Sequence, residues 1–189
     1  KQQHGFLSGR STTSNLLETI NDWTLAIIDR KSVGVAYIDY KRAFDSVSHA
    51  KLLNKLQSYG IAGQLLDWVR SFLSDRTQQT RVGSSLSDVI KLTSGVIQGS
   101  VLGPLLFTIF INDIVSLSDN SSCKCKLYAD DLKLYTVLET TDDSAGLPDA
   151  ASVDSCCLAG GSLSFARYSH YFDDGAERTG CCGAGRPAS

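Results

Sequence analysis

A short, almost continuous apolar segment that ends on a carboxylate constrains this chain of 189 residues more than any other feature. Residues 33–38 (VGVAYI) show no alternation between apolar and polar side chains. This pattern is typical of a strand that is buried on both faces of a sheet. Asp39 follows the segment directly, so the sequence predicts an internal strand with a carboxylate at its end.

Two more carboxylates lie between two further segments of strand character. Residues 124–128 and 132–138 flank Asp130 and Asp131, which predicts a hairpin with both aspartates at its turn. Adjacent like charges repel each other unless a cation lies between them, and Mg²⁺ prefers carboxylate oxygens. Together with Asp39, the pair therefore predicts a metal site. The alternative is an ordinary surface turn, since aspartate favours turn conformations.

The rest of the first 141 residues alternates between helical and strand patterns, which predicts an α+β fold. A Ser/Thr cluster precedes the first helical segment, Gly60 separates the second from the third, and Pro104 opens the fourth. The predicted helices cover residues 14–30, 49–59, 62–73 and 104–115, and a hairpin is expected within residues 78–92.

Composition limits the classes of function. The net charge of -2, from 18 basic and 20 acidic residues, excludes a global basic field, so any contact with nucleic acid must be local. The six cysteines lie adjacent or one residue apart, whereas zinc ligands are usually separated by about two to four residues. No apolar run reaches the roughly 18 residues of a membrane span. We expect no membrane association and an intracellular location, nuclear or cytoplasmic, without secretion.

The character of the chain changes after Thr141. Gly, Ala, Ser and Cys dominate there, and no helical or strand period is apparent. We therefore expect a folded domain in residues 1–141 and an atypical segment in residues 142–189 that is either disordered or derived from a frameshift. The chain contains no methionine and begins with Lys1, which suggests a piece of a larger protein.

Four ordered motifs resemble one enzyme family. Residues 128–131 (YADD) match the Y-x-D-D box of reverse transcriptases, and residues 36–45 (AYIDYKRAFD) resemble their D-x-K-x-A-F-D box. Residues 95–107 (GVIQGSVLGPLLF) resemble the intervening glycine-rich box. Residues 3–12, with QHGF and GRST, are similar to the preceding box of non-LTR, LINE-like retrotransposons. The chain thus resembles a fragment of a reverse transcriptase of the jockey or CR1 type.

This resemblance implies a polymerase palm, a small antiparallel sheet backed by helices, with incomplete fingers and no thumb. The implied activity is that of an RNA-directed DNA polymerase, which uses an RNA template, a DNA primer and deoxynucleoside triphosphates. The endonuclease, the remaining fingers and the thumb of the retrotransposon polyprotein are expected to be absent. An inactive relic, or a fragment that only binds nucleic acid or serves a structural role, is the alternative.

The resemblance also implies the roles of individual residues. Asp39, Asp130 and Asp131 would be the catalytic metal ligands, and the main-chain carbonyl of Tyr40 would add a further oxygen. The expected cofactor is a pair of Mg²⁺ ions, with Mn²⁺ as an alternative. Phe44 would exclude the 2′-hydroxyl of the incoming sugar, with packing in the core as the alternative.

The remaining implied contacts are with nucleotide and nucleic acid. Gln98 and Gly99 would contact the incoming nucleotide, or else form a turn before the next helix. Tyr128 would stack near the primer end, although an aromatic residue beside a turn often only packs. Arg10 would contact the template backbone as a positioning charge, with an exposed, solvated arginine as the alternative.

Overall fold

A computed structural model describes residues 2–118, 123–138, 165–172 and 177–180. The chain divides into two compact units. Unit 1 comprises Lys1–Lys41 and Ile111–Ser189, and unit 2 comprises Arg42–Phe110.

Unit 1 is built on an antiparallel sheet. Its strands are β1 Ser32–Tyr40, β6 Lys124–Tyr128, β7 Asp131–Leu138, β8 Phe165–Phe172 and β9 Glu177–Gly180. They lie in the order β6-β7-β1-β8-β9. Strand β1 is central, and most of its residues are buried, which confirms the predicted internal strand. The hairpin predicted around the two aspartates is confirmed as well, because β6 pairs with β7.

Helix α1, Thr12–Ile28, packs on this sheet. Ser11 caps its first turn, accepting a hydrogen bond of 3.1 Å from the Ser14 amide, as the Ser/Thr cluster predicted. Farther along the helix, Trp23 meets Tyr135 of β7 edge to face, with 6.0 Å between ring centroids. Ala26 and Trp23 of α1 thus pack on an apolar cluster of the sheet that contains Val33, Val35 and Tyr135. A 3₁₀ helix, Asn112–Ser118, also contacts β6.

Unit 2 combines helices with short strands. Its elements are α2 His49–Ser58, α3 Gly63–Leu73, β2 Thr77–Gln78, β3 Arg81–Val82, β4 Ser85–Leu86, β5 Ile90–Lys91 and α4 Leu102–Ile111. The predicted pair of helices, α2 and α3, is present, and each buries leucines. The predicted hairpin is present as two small ladders, β2 with β5 and β3 with β4, and Gly83 has a positive φ of 61° in the inner turn.

The α+β class predicted from the sequence is confirmed. Strands β8 and β9 lie in the segment for which no regular structure was predicted, and the fold differs from that expectation there. Most of residues 142–189 lies outside the described part, so the proposed boundary near residue 141 stays a prediction. Within the described ranges, no helix is both long enough and apolar enough to cross a membrane.

Candidate active site

The three predicted carboxylates come together at one end of the sheet in unit 1. The antiparallel register pairs Ile38 of β1 with Leu132 of β7, so the next positions on these strands are Asp39 and Asp131. Residues directly opposite each other on one face have Cβ atoms about 5 Å apart. Asp130 precedes Asp131 in the turn. Asp39 and Asp131 are exposed, and the carboxylate of each can therefore bind an ion that arrives from solvent.

The electrostatics of this cluster favour a cation. Partial burial raises the pKa of Asp131, and the nearby negative charges of Asp130 and Asp39 raise it further. A positive ion between these groups would relieve the repulsion. In the described part of the chain, no group of three or more His, Cys, Asp or Glu side chains lies close enough together to hold a metal ion by itself, so waters and substrate oxygens would have to complete any coordination here. Such an open set of carboxylates fits Mg²⁺, which usually keeps waters and takes substrate phosphate oxygens.

The turn that presents Asp130 has a backbone conformation that is unusual for a residue with a side chain. Ala129 is buried and has a positive φ of 56°. The side chain of Gln3 forms two hydrogen bonds with the backbone of Ala129. Gln3 Nε2 donates to the Ala129 carbonyl at 3.2 Å, and the Ala129 amide donates to Gln3 Oε1 at 3.0 Å. The amide of Gly5 donates to the same oxygen at 2.7 Å.

The N-terminal segment attaches to the edge of the sheet beside this turn. Gln3 forms a parallel bridge with Leu127 of β6. The amide of His4 donates to the Leu127 carbonyl at 2.9 Å, and the Leu127 amide donates to the Gln2 carbonyl at 3.0 Å. Asn15 of α1 donates from Nδ2 to the same Leu127 carbonyl at 3.0 Å. The first and last of the four motifs are thus in direct contact, and the sequence had suggested no role for Gln3.

Arg10, predicted to contact the template, bonds within the protein. It donates from Nη1 to His4 Nε2 at 2.8 Å, and its Nη1 lies 3.9 Å from Glu18 Oε1. Because arginine only donates, His4 Nε2 is the acceptor, and Nδ1 carries the proton that bonds Ser14 Oγ at 2.9 Å. Burial lowers the pKa of His4, which agrees with this neutral form. A template contact by Arg10 stays a prediction.

A cavity of about 300 Å³ lies beside the carboxylates in unit 1. Its lining includes Asp39, Asp131, Tyr128 and Lys133, so the residue predicted to meet the primer end faces the same space as two catalytic candidates. Lys133 Nζ lies 5.6 Å from the centre of the Tyr37 ring, and burial lowers the pKa of this lysine. Two tyrosine rings, two lysines and two carboxylates are therefore among the groups that surround the cavity.

The three residues predicted to contact the nucleotide lie together in unit 2. Phe44, Gln98 and Gly99 line a cavity of about 240 Å³. Phe44 stacks on Phe107, with 4.1 Å between ring centroids and 16° between ring planes, so the packing role foreseen for this ring is present. Gln98 donates from Nε2 to Asp45 Oδ1 at 2.8 Å. Gly99 has a positive φ of 79°, as a turn before α4 requires.

Backbone contacts in unit 2 fix the glycine-rich segment against the segment that bears Phe44. The Val96 amide donates to the Phe44 carbonyl at 2.9 Å, and His49 Nε2 donates to the Gly95 carbonyl at 2.7 Å. A Cβ on Gly95 would lie 2.9 Å from backbone atoms of Asp45, so only glycine fits there. No local pattern indicates this role of His49, because the two partners are 46 residues apart.

Comparison with known proteins identifies relatives of the chain. Residues 1–149 match the family described as reverse transcriptase (RNA-dependent DNA polymerase). The RNA-directed DNA polymerase from the mobile element jockey of Drosophila melanogaster is 34% identical over 142 residues, which cover 72% of this chain and 15% of the relative. The probable RNA-directed DNA polymerase from transposon BS of the same species is 32% identical and covers 70% and 15%. The chain thus spans about 15% of the length of these relatives.

Solved structures share the fold. Telomerase from Candida tropicalis, in complex with a fragment of telomeric RNA, superposes with a TM-score of 0.62 at 14% sequence identity, over 97% of this chain and 31% of that one. Telomerase from Candida albicans gives the same TM-score and identity over 88% of this chain and 31% of that one. At this identity the likeness concerns the fold alone, and it confirms the predicted palm-type α+β architecture.

Proposed function

Since the chain belongs to the reverse transcriptase (RNA-dependent DNA polymerase) family, we propose that it performs the polymerising step of DNA synthesis on an RNA template. In this reaction the 3′-oxygen of a DNA primer forms a bond to the α-phosphorus of a deoxynucleoside triphosphate. The bond between the α-phosphorus and the oxygen that bridges it to the β-phosphate breaks, and pyrophosphate leaves. The observation that carries the proposal is the juxtaposition of Asp39 and Asp131 on neighbouring strands, with Asp130 in the adjoining turn.

Asp39, Asp130, Asp131 and the main-chain carbonyl of Tyr40 would hold the two Mg²⁺ ions, or Mn²⁺ in their place. When bound, the ions supply activation of the attacking hydroxyl and stabilisation of the leaving oxygen. Partial burial raises the pKa of Asp131, and the negative charges of Asp130 and Asp39 raise it further. The mutual repulsion of these carboxylates favours binding of a dication among them. The protein's own contribution is to fix these oxygens in place before the substrate arrives.

Unit 2 supplies the proposed selection of the nucleotide. The ring of Phe44 is held by its stack on Phe107, and a rigid ring in contact with the sugar leaves no room for a 2′-hydroxyl. That hydroxyl is what distinguishes the two kinds of nucleotide. Gln98 and Gly99 line the same cavity as Phe44, which supports a shared role in binding the nucleotide.

Tyr128 and Arg10 carry the proposed contacts with primer and template. Tyr128 lines the cavity beside Asp39 and Asp131, which supports a contact near the primer end. The net charge of -2 means that backbone phosphates would have to be bound by local positive groups. RNA as the template is supported by the names of the relatives, which are RNA-directed DNA polymerases.

Primer extension tests this proposal. The chain is incubated with an RNA template, a DNA primer, Mg²⁺ and deoxynucleotides, and is compared with a variant carrying Asp130→Asn and Asp131→Asn. We expect extension by the parent and a loss of at least roughly 100-fold in the variant. Asp29→Asn, which removes an exposed carboxylate at the end of α1, is the matched control and should extend normally. Absence of extension by the parent would support the inactive-fragment alternative.

A further inference from the structure

We propose that Gln3 is a positioning residue for the catalytic turn, which consists of residues 129–130. The Gln3 side chain holds Ala129 in the conformation that presents Asp130 and Asp131. The inference rests on the proposed function only for its kinetic part. Its structural part concerns how the carboxylates are aimed, and it can be tested by metal binding alone.

The turn needs an external restraint. Ala129 and Asp130 form a two-residue turn between the paired residues Tyr128 and Asp131. The positive φ of 56° at Ala129 is the left-handed conformation that tight hairpin turns demand at such a position, and glycine usually supplies it. A residue with a Cβ incurs a steric penalty there. Ala129 is also buried, so its amide and carbonyl need partners within the protein.

Gln3 has the chemistry to supply both partners. Its carboxamide donates to the Ala129 carbonyl at 3.2 Å and accepts from the Ala129 amide at 3.0 Å, as a neighbouring strand would. Its side chain is fixed in turn, because Gln3 is only 5% exposed and Gly5 donates to its Oε1 at 2.7 Å. Gly5 also permits this close approach, since a Cβ at that position would lie 2.3 Å from the Ala129 nitrogen.

The segment that bears Gln3 is anchored independently of its side chain. Backbone hydrogen bonds join Leu127 to Gln2 and to His4. His4 is fully buried and bonds to Ser14, which ties the same segment to α1. Loss of the Gln3 carboxamide should therefore leave the segment in place and release only the turn. This separates a positioning role from a general role in stability.

Binding of Mn²⁺, followed by electron paramagnetic resonance, tests the structural part. Gln3→Ala is compared with Gln2→Ala, because Gln2 contacts β6 through a backbone carbonyl that alanine retains. Residues that orient metal ligands typically contribute about 10- to 100-fold in affinity, and we expect roughly tenfold weaker binding in Gln3→Ala. Gln2→Ala should bind as the parent does. Equal affinity of the two variants would overturn the proposal.

Hydrogen exchange of the unsubstituted protein provides a measurement that needs no variant. If Gln3 holds the turn, the Ala129 amide exchanges slowly, at a rate close to those of the central strand amides. Exchange of this amide at the rate of an exposed loop would overturn the proposal, even if Gln3→Ala does not fold.

Primer extension tests the kinetic part. Because Gln3 is buried and bonds to the turn, its substitution should change the position of the carboxylates and leave the binding of the nucleotide intact. Gln3→Ala should therefore lower kcat roughly tenfold with little change in KM for the deoxynucleotide. A change confined to KM would overturn this role. If the parent does not extend a primer at all, the proposed function fails, whereas the Mn²⁺ comparison still decides the role of Gln3.

Discussion

Substitution of Gly5 by alanine should disrupt the catalytic turn. The new Cβ would lie 2.3 Å from the nitrogen and 3.0 Å from the Cα of Ala129. Both are backbone atoms of a buried residue, so neither can move aside as a flexible side chain could. Overpacking of this kind costs about 1–3 kcal/mol.

The clash also acts on hydrogen bonds. The two bonds between Gln3 and Ala129, and the bond from the Gly5 amide to Gln3, all span the gap that the methyl group would widen. Each such bond contributes about 1 kcal/mol net. If one or two of them are lost, the free energy of unfolding should fall by roughly 2–4 kcal/mol in total.

Guanidinium denaturation followed by circular dichroism measures this change, with Gly9→Ala as the control. Gly9 has a positive φ of 72°, and no neighbouring heavy atom lies within 4 Å of the position that an added methyl group would take, so alanine there adds strain without a clash. We expect a loss of about 1 kcal/mol for the control. If Gly5→Ala were no less stable than Gly9→Ala, the close packing of the N-terminal segment on the turn would be refuted.

Three further outcomes are expected. Phe44→Val should raise the incorporation of ribonucleotides relative to deoxynucleotides by at least roughly tenfold in primer extension, and unchanged selectivity would remove its proposed role. Tyr135→Phe removes the 2.6 Å bond to Asp22 and should lower the free energy of unfolding by about 1–3 kcal/mol in denaturation experiments. The lowered pKa of His4 means that its contribution to stability is present above its unfolded pKa of about 6.5 and is lost as the pH falls below that value. Stability should thus decline as the pH falls below about 6.5 in the parent, and less steeply in His4→Gln.

The elements that present the carboxylates were predictable because their signals are local. A continuous apolar segment before Asp39 and two strand segments around Asp130 each depend on a few neighbouring residues. The start of α4 was less well predicted. It begins at Leu102, before Pro104, because proline needs no amide partner anywhere in the first turn of a helix. Its predicted end at residue 115 falls in the 3₁₀ helix that follows α4.

The contacts that support the turn were not predictable from local patterns. Gln3 and Ala129 are 126 residues apart, and a glutamine near the chain terminus carries no periodic signal. Arginine is usually a surface residue, yet the hydrogen-bond partner of Arg10 is the buried His4. Strand β8 has the sequence FARYSHYF, and its four Phe and Tyr residues are typical of a strand. This short signal was missed because the residues around it are rich in Gly, Ala, Ser and Cys.

Substitution of Asp39 alone tests the central claim most directly, because this carboxylate comes from a different strand and a different motif from the other two. The measurement is Mn²⁺ affinity together with primer extension, for Asp39→Asn against the Asp29→Asn control. If the three carboxylates form one metal site, Asp39→Asn should weaken Mn²⁺ binding and reduce extension by at least roughly 100-fold, while the control keeps both. If Asp39→Asn bound Mn²⁺ and extended the primer as well as the parent does, the claim that the three carboxylates share one metal site would be contradicted.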